Sequence, residues 1–111
     1  MYAREWRFTI LPGKLEEFAK AVRTLLPEAN KERGFRGFLL MRGRRSESKA
    51  RCTMIGLWQS RSHLHASDDG LFLPRALAHL ITYCDGYPVL QEFEVLLNEL
   101  VTNHGDELIS C

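Results

Sequence analysis

Three side chains in the second half of the chain, His63, His79 and Tyr83, have the chemistry of acid–base catalysis. Histidine titrates near neutral pH, so either His63 or His79 can act as a general base. His79 and Tyr83 stand four residues apart, which puts both rings on one face of a helix. With Trp58 they would give an apolar pocket a polar end. The competing reading is a hydrogen-bonded pair at a helix edge. His63 and His65 are two apart and point to different helix faces, which argues against a two-histidine metal pair. No metal site is expected. Asp68-Asp69 is two adjacent carboxylates, and capping of the next helix explains it better than a cation. Cys84 follows Tyr83 at a helix end, where the dipole raises a thiol pKa, so it is a poor nucleophile. His104 lies in the tail and receives no role.

A pocket for such groups needs walls, and the strand at residues 50–58 supplies the first. Cys52, Met54, Gly56 and Trp58 share one face at period two, and Thr53, Ile55 and Leu57 share the other. Both faces are largely apolar, which marks an interior strand covered on both sides. Residues 3–11 alternate as well, with Arg4, Trp6, Phe8 and Ile10 against Glu5, Arg7 and Thr9. Parity then places Trp6, Phe8, Met54 and Trp58 on one side of the sheet, as walls for a flat aromatic ligand or as plain helix-to-sheet core. Phe72, on the later helix, completes the expected set of ligand-binding residues.

The remaining elements follow from changes of period. Leu15, Phe18, Ala19, Val22, Leu25, Leu26 and Ala29 form one helical stripe over residues 14–31, with Pro27 expected to kink or end it in the last turn. Gly34 to Arg42 reads as a strand with Phe38 and Leu40 on one face and Leu39 and Met41 on the other. The polar stretch 43–49 turns it into a hairpin; its charges read as an anion-binding arm or, with more weight, as a solvated tip. Ser60 caps a short helix over 62–66, which Asp68-Asp69-Gly70 breaks. A second helical piece runs from Leu71 to about Tyr83, and Val89–Leu97 is the last strand. The order β-α-β-β-α-β predicts an α+β, ferredoxin-like domain over residues 1–97, a four-stranded antiparallel sheet with helices on one face, followed by a tail over 98–111. Ile55, Leu57, Leu39 and Met41 would face away from the helices. A homodimer with sheets packed face to face is the simplest cover.

The totals restrict the function. The chain has 111 residues, 45% hydrophobic and 26% charged, which fits one globular domain. A formal net charge of +1 gives no field that would attract nucleic acid or an anionic membrane. There is no apolar leader and no run of membrane-spanning length. Three cysteines without a CxxC pair predict a reduced, cytoplasmic protein with no disulfide frame.

The chain resembles the antibiotic biosynthesis monooxygenase (ABM) superfamily of dimeric α+β barrels. The residues that carry the resemblance are the first strand running into Pro12-Gly13-Lys14 with Glu16-Glu17-Phe18, then Gly34-Phe35-Arg36-Gly37-Phe38, Leu57-Trp58-Gln59-Ser60 and Glu92-Phe93-Glu94-Val95. It implies a pocket between sheet and helices, with Trp58 matching a tryptophan that lines it in several members. It also implies a choice between a cofactor-independent monooxygenase, acting on a small aromatic or quinol-type substrate, and a non-catalytic or stress-related dimer that binds a small hydrophobic ligand. No cofactor is expected. Haem-degrading members use a first-strand asparagine and a histidine about ten residues after the tryptophan. Trp6 and Asp68 stand near those positions here, which argues against haem cleavage.

Overall fold

The computed structural model describes residues 1–43, 50–97 and 99. All of the predicted hairpin tip at 43–49 except Gly43, and nearly all of the predicted tail, lie outside them. Four strands, β1 (Tyr2–Ile10), β2 (Phe35–Arg42), β3 (Ala50–Trp58) and β4 (Val89–Glu94), form one antiparallel sheet in the order β2-β3-β1-β4. Three helices, α1 (Leu15–Ala29), α2 (Arg61–Asp69) and α3 (Phe72–Leu80), pack on one face of it, and a 3-10 turn (Ile81–Tyr83) follows α3. This is the expected ferredoxin-like α+β architecture. No described helix is long and apolar enough to cross a membrane.

The core lies between β1, β3 and the helices. Trp6, Phe8 and Ile10 on β1 are almost completely buried, opposite Phe18 of α1, Leu64 of α2 and Leu80 of α3. Phe8 packs its ring against Phe18 at 5.0 Å between centroids. Each such side chain contributes roughly 1.5–3 kcal/mol by leaving water.

Local chemistry corrects several expected boundaries. α1 runs two residues past Pro27, because a proline this close to the end removes one helical hydrogen bond that the last turn can lose. Tighter bonds then close the chain down, from Lys31 N–H to Glu28 O and from Glu32 N–H to Ala29 O, both 3.0 Å. α2 is longer than expected and carries Asp68 and Asp69 inside it, ending at Gly70; neither acid caps α3, whose N-cap is Leu71. Ser60 does cap α2, its Oγ accepting the His63 backbone N–H at 3.2 Å. β4 stops at Glu94 rather than at Leu97.

A bulge between Phe35 and Gly37 breaks the alternation of β2. Phe35 lies opposite Trp58 and Phe38 opposite Gly56, so two residues of opposite parity share the helix-facing side. Among the described residues no layer covers the other face of the sheet. Leu39 is 60% exposed and Val89 56%, with Met41, Phe93 and the half-buried Ile55 and Leu57 beside them.

Candidate functional site

The side chains of highest interest converge where β1 and β3 meet α1 and α3. The Trp6 and Trp58 rings lie 6.2 Å apart at 56°, and Phe35 meets Trp58 edge-on at 5.3 Å. Trp58 Nε1 donates to Ser67 Oγ at 3.1 Å, which ties the indole to α2. The Trp6 indole N–H is buried and finds no acceptor among the described residues. Leaving such a donor unpaired costs roughly 1–3 kcal/mol.

Gly56 makes this arrangement possible. A Cβ built there would come within 2.7 Å of Trp58 Cζ3 and 3.2 Å of Trp6 Cζ3, so both indoles lie across the bare backbone. Gly56→Ala is therefore expected to force the rings apart and destabilise the fold by roughly 1–3 kcal/mol. A denaturation midpoint equal to that of the unaltered protein would contradict the close approach.

Beside the tryptophans lies an interior cavity of about 60 Å³. Trp6, Met54, Trp58 and Phe72, four of the five predicted ligand-binding residues, line it together with Val22, Leu25, Phe35 and Leu77. Phe8 does not; it is taken up by Phe18 in the core, the competing role its position allowed. The cavity surface is hydrocarbon and aromatic, and Glu32 is the one ionisable residue in its lining. An open groove of about 610 Å³ between α1 and α3 adjoins it and shares Leu25, Glu32, Phe72 and Ala76. Phe72 thus stands between outside and inside.

The three predicted acid–base residues lie outside this lining. The His63 ring is held by its own helix cap, Nδ1 lying 2.7 Å from Ser60 Oγ, and it packs over Gly34. Gly34 has φ +76 and leaves no room for a Cβ beneath that ring. His79 is exposed and meets Tyr83 edge-on, 5.5 Å between centroids, so the expected pair forms, but at the helix edge rather than at the cavity. No group of three or more metal-ligating side chains occurs among the described residues.

Sequence reasoning missed Phe35, Ser67 and Glu32 as cavity residues. Phe35 has the wrong parity until the bulge is known. Ser67 and Glu32 sit in polar stretches that carry no apolar period. It also missed a charged cluster on the same side of the sheet. Arg4, only 5% exposed, donates to both carboxylate oxygens of Asp68, the Nη2–Oδ2 bond being 2.8 Å, and to Glu92 of β4. His65 Nε2 lies 3.3 Å from the Glu92 carboxylate. Burial pulls the Arg4 pKa down, but its hydrogen bonds to Asp68 and Glu92, with their negative charge, outweigh it and leave the pKa raised. The hydrogen bond from Arg4 holds the Glu92 carboxyl below its usual range despite some desolvation. Cys52 and Cys84 are buried free thiols. Burial, and next the neighbouring Cys52, push the Cys84 thiol up to about 11, so it is no nucleophile at neutral pH.

The fold is a ferredoxin-like sheet with an apolar cavity between its tryptophans and its helices. Residues 1–70 match the antibiotic biosynthesis monooxygenase family, and the chain belongs to that family. No curated protein matches it in sequence. Solved structures share the fold at low identity. SnoaB, a cofactor-independent oxygenase from Streptomyces nogalater, is 14% identical with a TM-score of 0.71, covering 87% of this chain and 94% of its own. A protein of unknown function from Nitrosomonas europaea is 19% identical with a TM-score of 0.72, covering 92% and 95%. A putative antibiotic biosynthesis monooxygenase from Caulobacter crescentus is 18% identical with a TM-score of 0.69, covering 86% and 90%. At these identities the likeness speaks for fold alone.

Proposed function

We propose that the protein binds a small, electron-rich aromatic molecule beside Trp58 and oxygenates it without a cofactor. The observation that carries this reading is the apolar cavity between two indoles and two helices, continuous with a surface groove. Membership of a monooxygenase family and the likeness in fold to SnoaB support the chemical half. In such a reaction the reducing power sits in the substrate. A phenol loses its proton, the ring carbon of the anion attacks O2, and the resulting hydroperoxide loses water to leave a quinone. One oxygen atom ends as the new carbonyl and the other as water; the ring supplies the electrons. The protein's part is to exclude water, hold the ring and accept a proton.

At about 60 Å³ the cavity is small beside the roughly 300–1,000 Å³ of typical ligand sites. A ring therefore needs the walls to yield, and Phe72, which lines both cavity and groove, is placed to do so. His63, His79 and Tyr83 receive no step in this reading, since none of them lines the cavity. That same observation favours the second reading, an apolar binding protein without chemistry. The test is oxygen uptake with reduced naphthoquinols and naphthols at substrate saturation. Consumption above the uncatalysed rate supports the oxygenase. Tight binding with no extra consumption leaves the binding protein.

The same reading includes a homodimer through the open sheet face. β-pairing puts Ala3, Leu39, Ile55, Leu57 and Phe93 on that face together, and a patch of this kind on a lone soluble chain is unusual. Ile55→Lys is expected to convert a dimer to monomers in analytical ultracentrifugation. A wild-type monomer at low micromolar concentration would dispose of the interface. Two buried free thiols suit a reducing, cytoplasmic setting.

A further inference from the structure

Glu32 belongs both to the lining of the cavity, to which it adds no polar surface, and to that of the outer groove, so the residue stands at the throat where the two meet and its carboxylate is not turned into the cavity. Its backbone is held on both sides, the N–H by Ala29 O at 3.0 Å and the C=O by Phe35 N–H at 3.2 Å. The neighbouring acid on the groove, Glu28, is paired with Lys31 at 3.3 Å. Glu32 is half-buried as a residue, and its carboxylate has no side-chain partner among the described residues. An acceptor of this kind beside a hydrocarbon surface loses hydration whenever a ligand fills the throat, and it recovers that loss only from a donor on the ligand. Arg75 lies on the opposite lip of the groove, which disfavours a cationic donor and leaves a neutral hydroxyl as the fitting one.

We propose that Glu32 is the specificity-determining residue of the site: its carboxylate accepts the hydroxyl of a phenolic ligand at the throat while the ring lies inward against Trp58. This rests on the cavity being the ligand site, as read above. It orients the ligand with its oxygen toward α1 and α3 and its far ring edge in the dry interior.

The test compares 1-naphthol, 1-methoxynaphthalene and naphthalene by quenching of tryptophan fluorescence, in the wild type and in Glu32→Gln and Glu32→Met. A charge-assisted hydrogen bond predicts that the wild type binds 1-naphthol at least about tenfold more tightly than its methyl ether. Glu32→Gln should shrink that ratio, and Glu32→Met should abolish it, with naphthalene affinity unchanged in both. Equal binding of naphthol and ether by the wild type, a ratio that survives Glu32→Met, or a uniform loss for all three probes overturns the assignment while leaving the cavity as the ligand site. Failure of the wild type to bind any of the three removes the cavity reading itself, and this inference with it.

Discussion

Trp58→Ala is expected to lower the stability of the fold by about 3–5 kcal/mol, the range for deleting a buried aromatic side chain. The indole is 3% exposed and touches three structures at once: the Trp6 ring on β1, the Phe35 ring on β2 and Ser67 on α2. Truncation leaves a void that rigid neighbours cannot fill and strips the Ser67 hydroxyl of its donor. For a chain of this size the melting temperature should fall by on the order of 10–20 °C. Trp58→Phe keeps part of the ring and should lose much less. A thermal scan checks both, and an alanine variant melting within about 3 °C of wild type would show that the indole is not wedged as described.

Neutralising the two acids around Arg4 is expected to be nearly as damaging. In Asp68→Asn combined with Glu92→Gln, the guanidinium stays buried while its counter-charges vanish. Removing the partners of a buried charge typically costs 3–5 kcal/mol. The Asp68 and Glu92 side chains are 37% and 32% exposed, so water screens part of the loss, and about 3 kcal/mol is expected. The pH dependence has a definite sign. Glu92 has a folded pKa below its ordinary 4.5, so its contribution is present in full above that value. It is lost as pH falls through the lower folded value. The stability gap between wild type and the double variant should therefore be widest near neutral pH and narrow in acid, as the wild-type Glu92 carboxyl is protonated. Urea midpoints at pH 7 and in strong acid measure it; a gap independent of pH would rule out charge pairing as its source.

The amino-acid order by itself determined the periodic features. Alternation in β1 and β3, the stripe along α1 and the Ser60 cap are set by contacts within a few residues, and those patterns imply the β-α-β-β-α-β plan directly. The same parity put Trp6, Met54 and Trp58 on one side of the sheet, where they do line a cavity. What it could not determine depends on residues far apart in the chain. Arg4 sits in an apolar row, and only folding brings it to Asp68 and Glu92, 64 and 88 positions away. The bulge that turns Phe35 inward is a matter of pairing between β2 and β3, invisible to a count of period two. Glu32 follows a helix end in a polar stretch and becomes a cavity residue only because α3 packs across from it. His79 and Tyr83 were correctly paired by helical spacing, yet which way their shared face points is decided by how α3 lies on the sheet. Local periodicity names neighbours along an element; the orientation of that element is set by burial summed over the whole core.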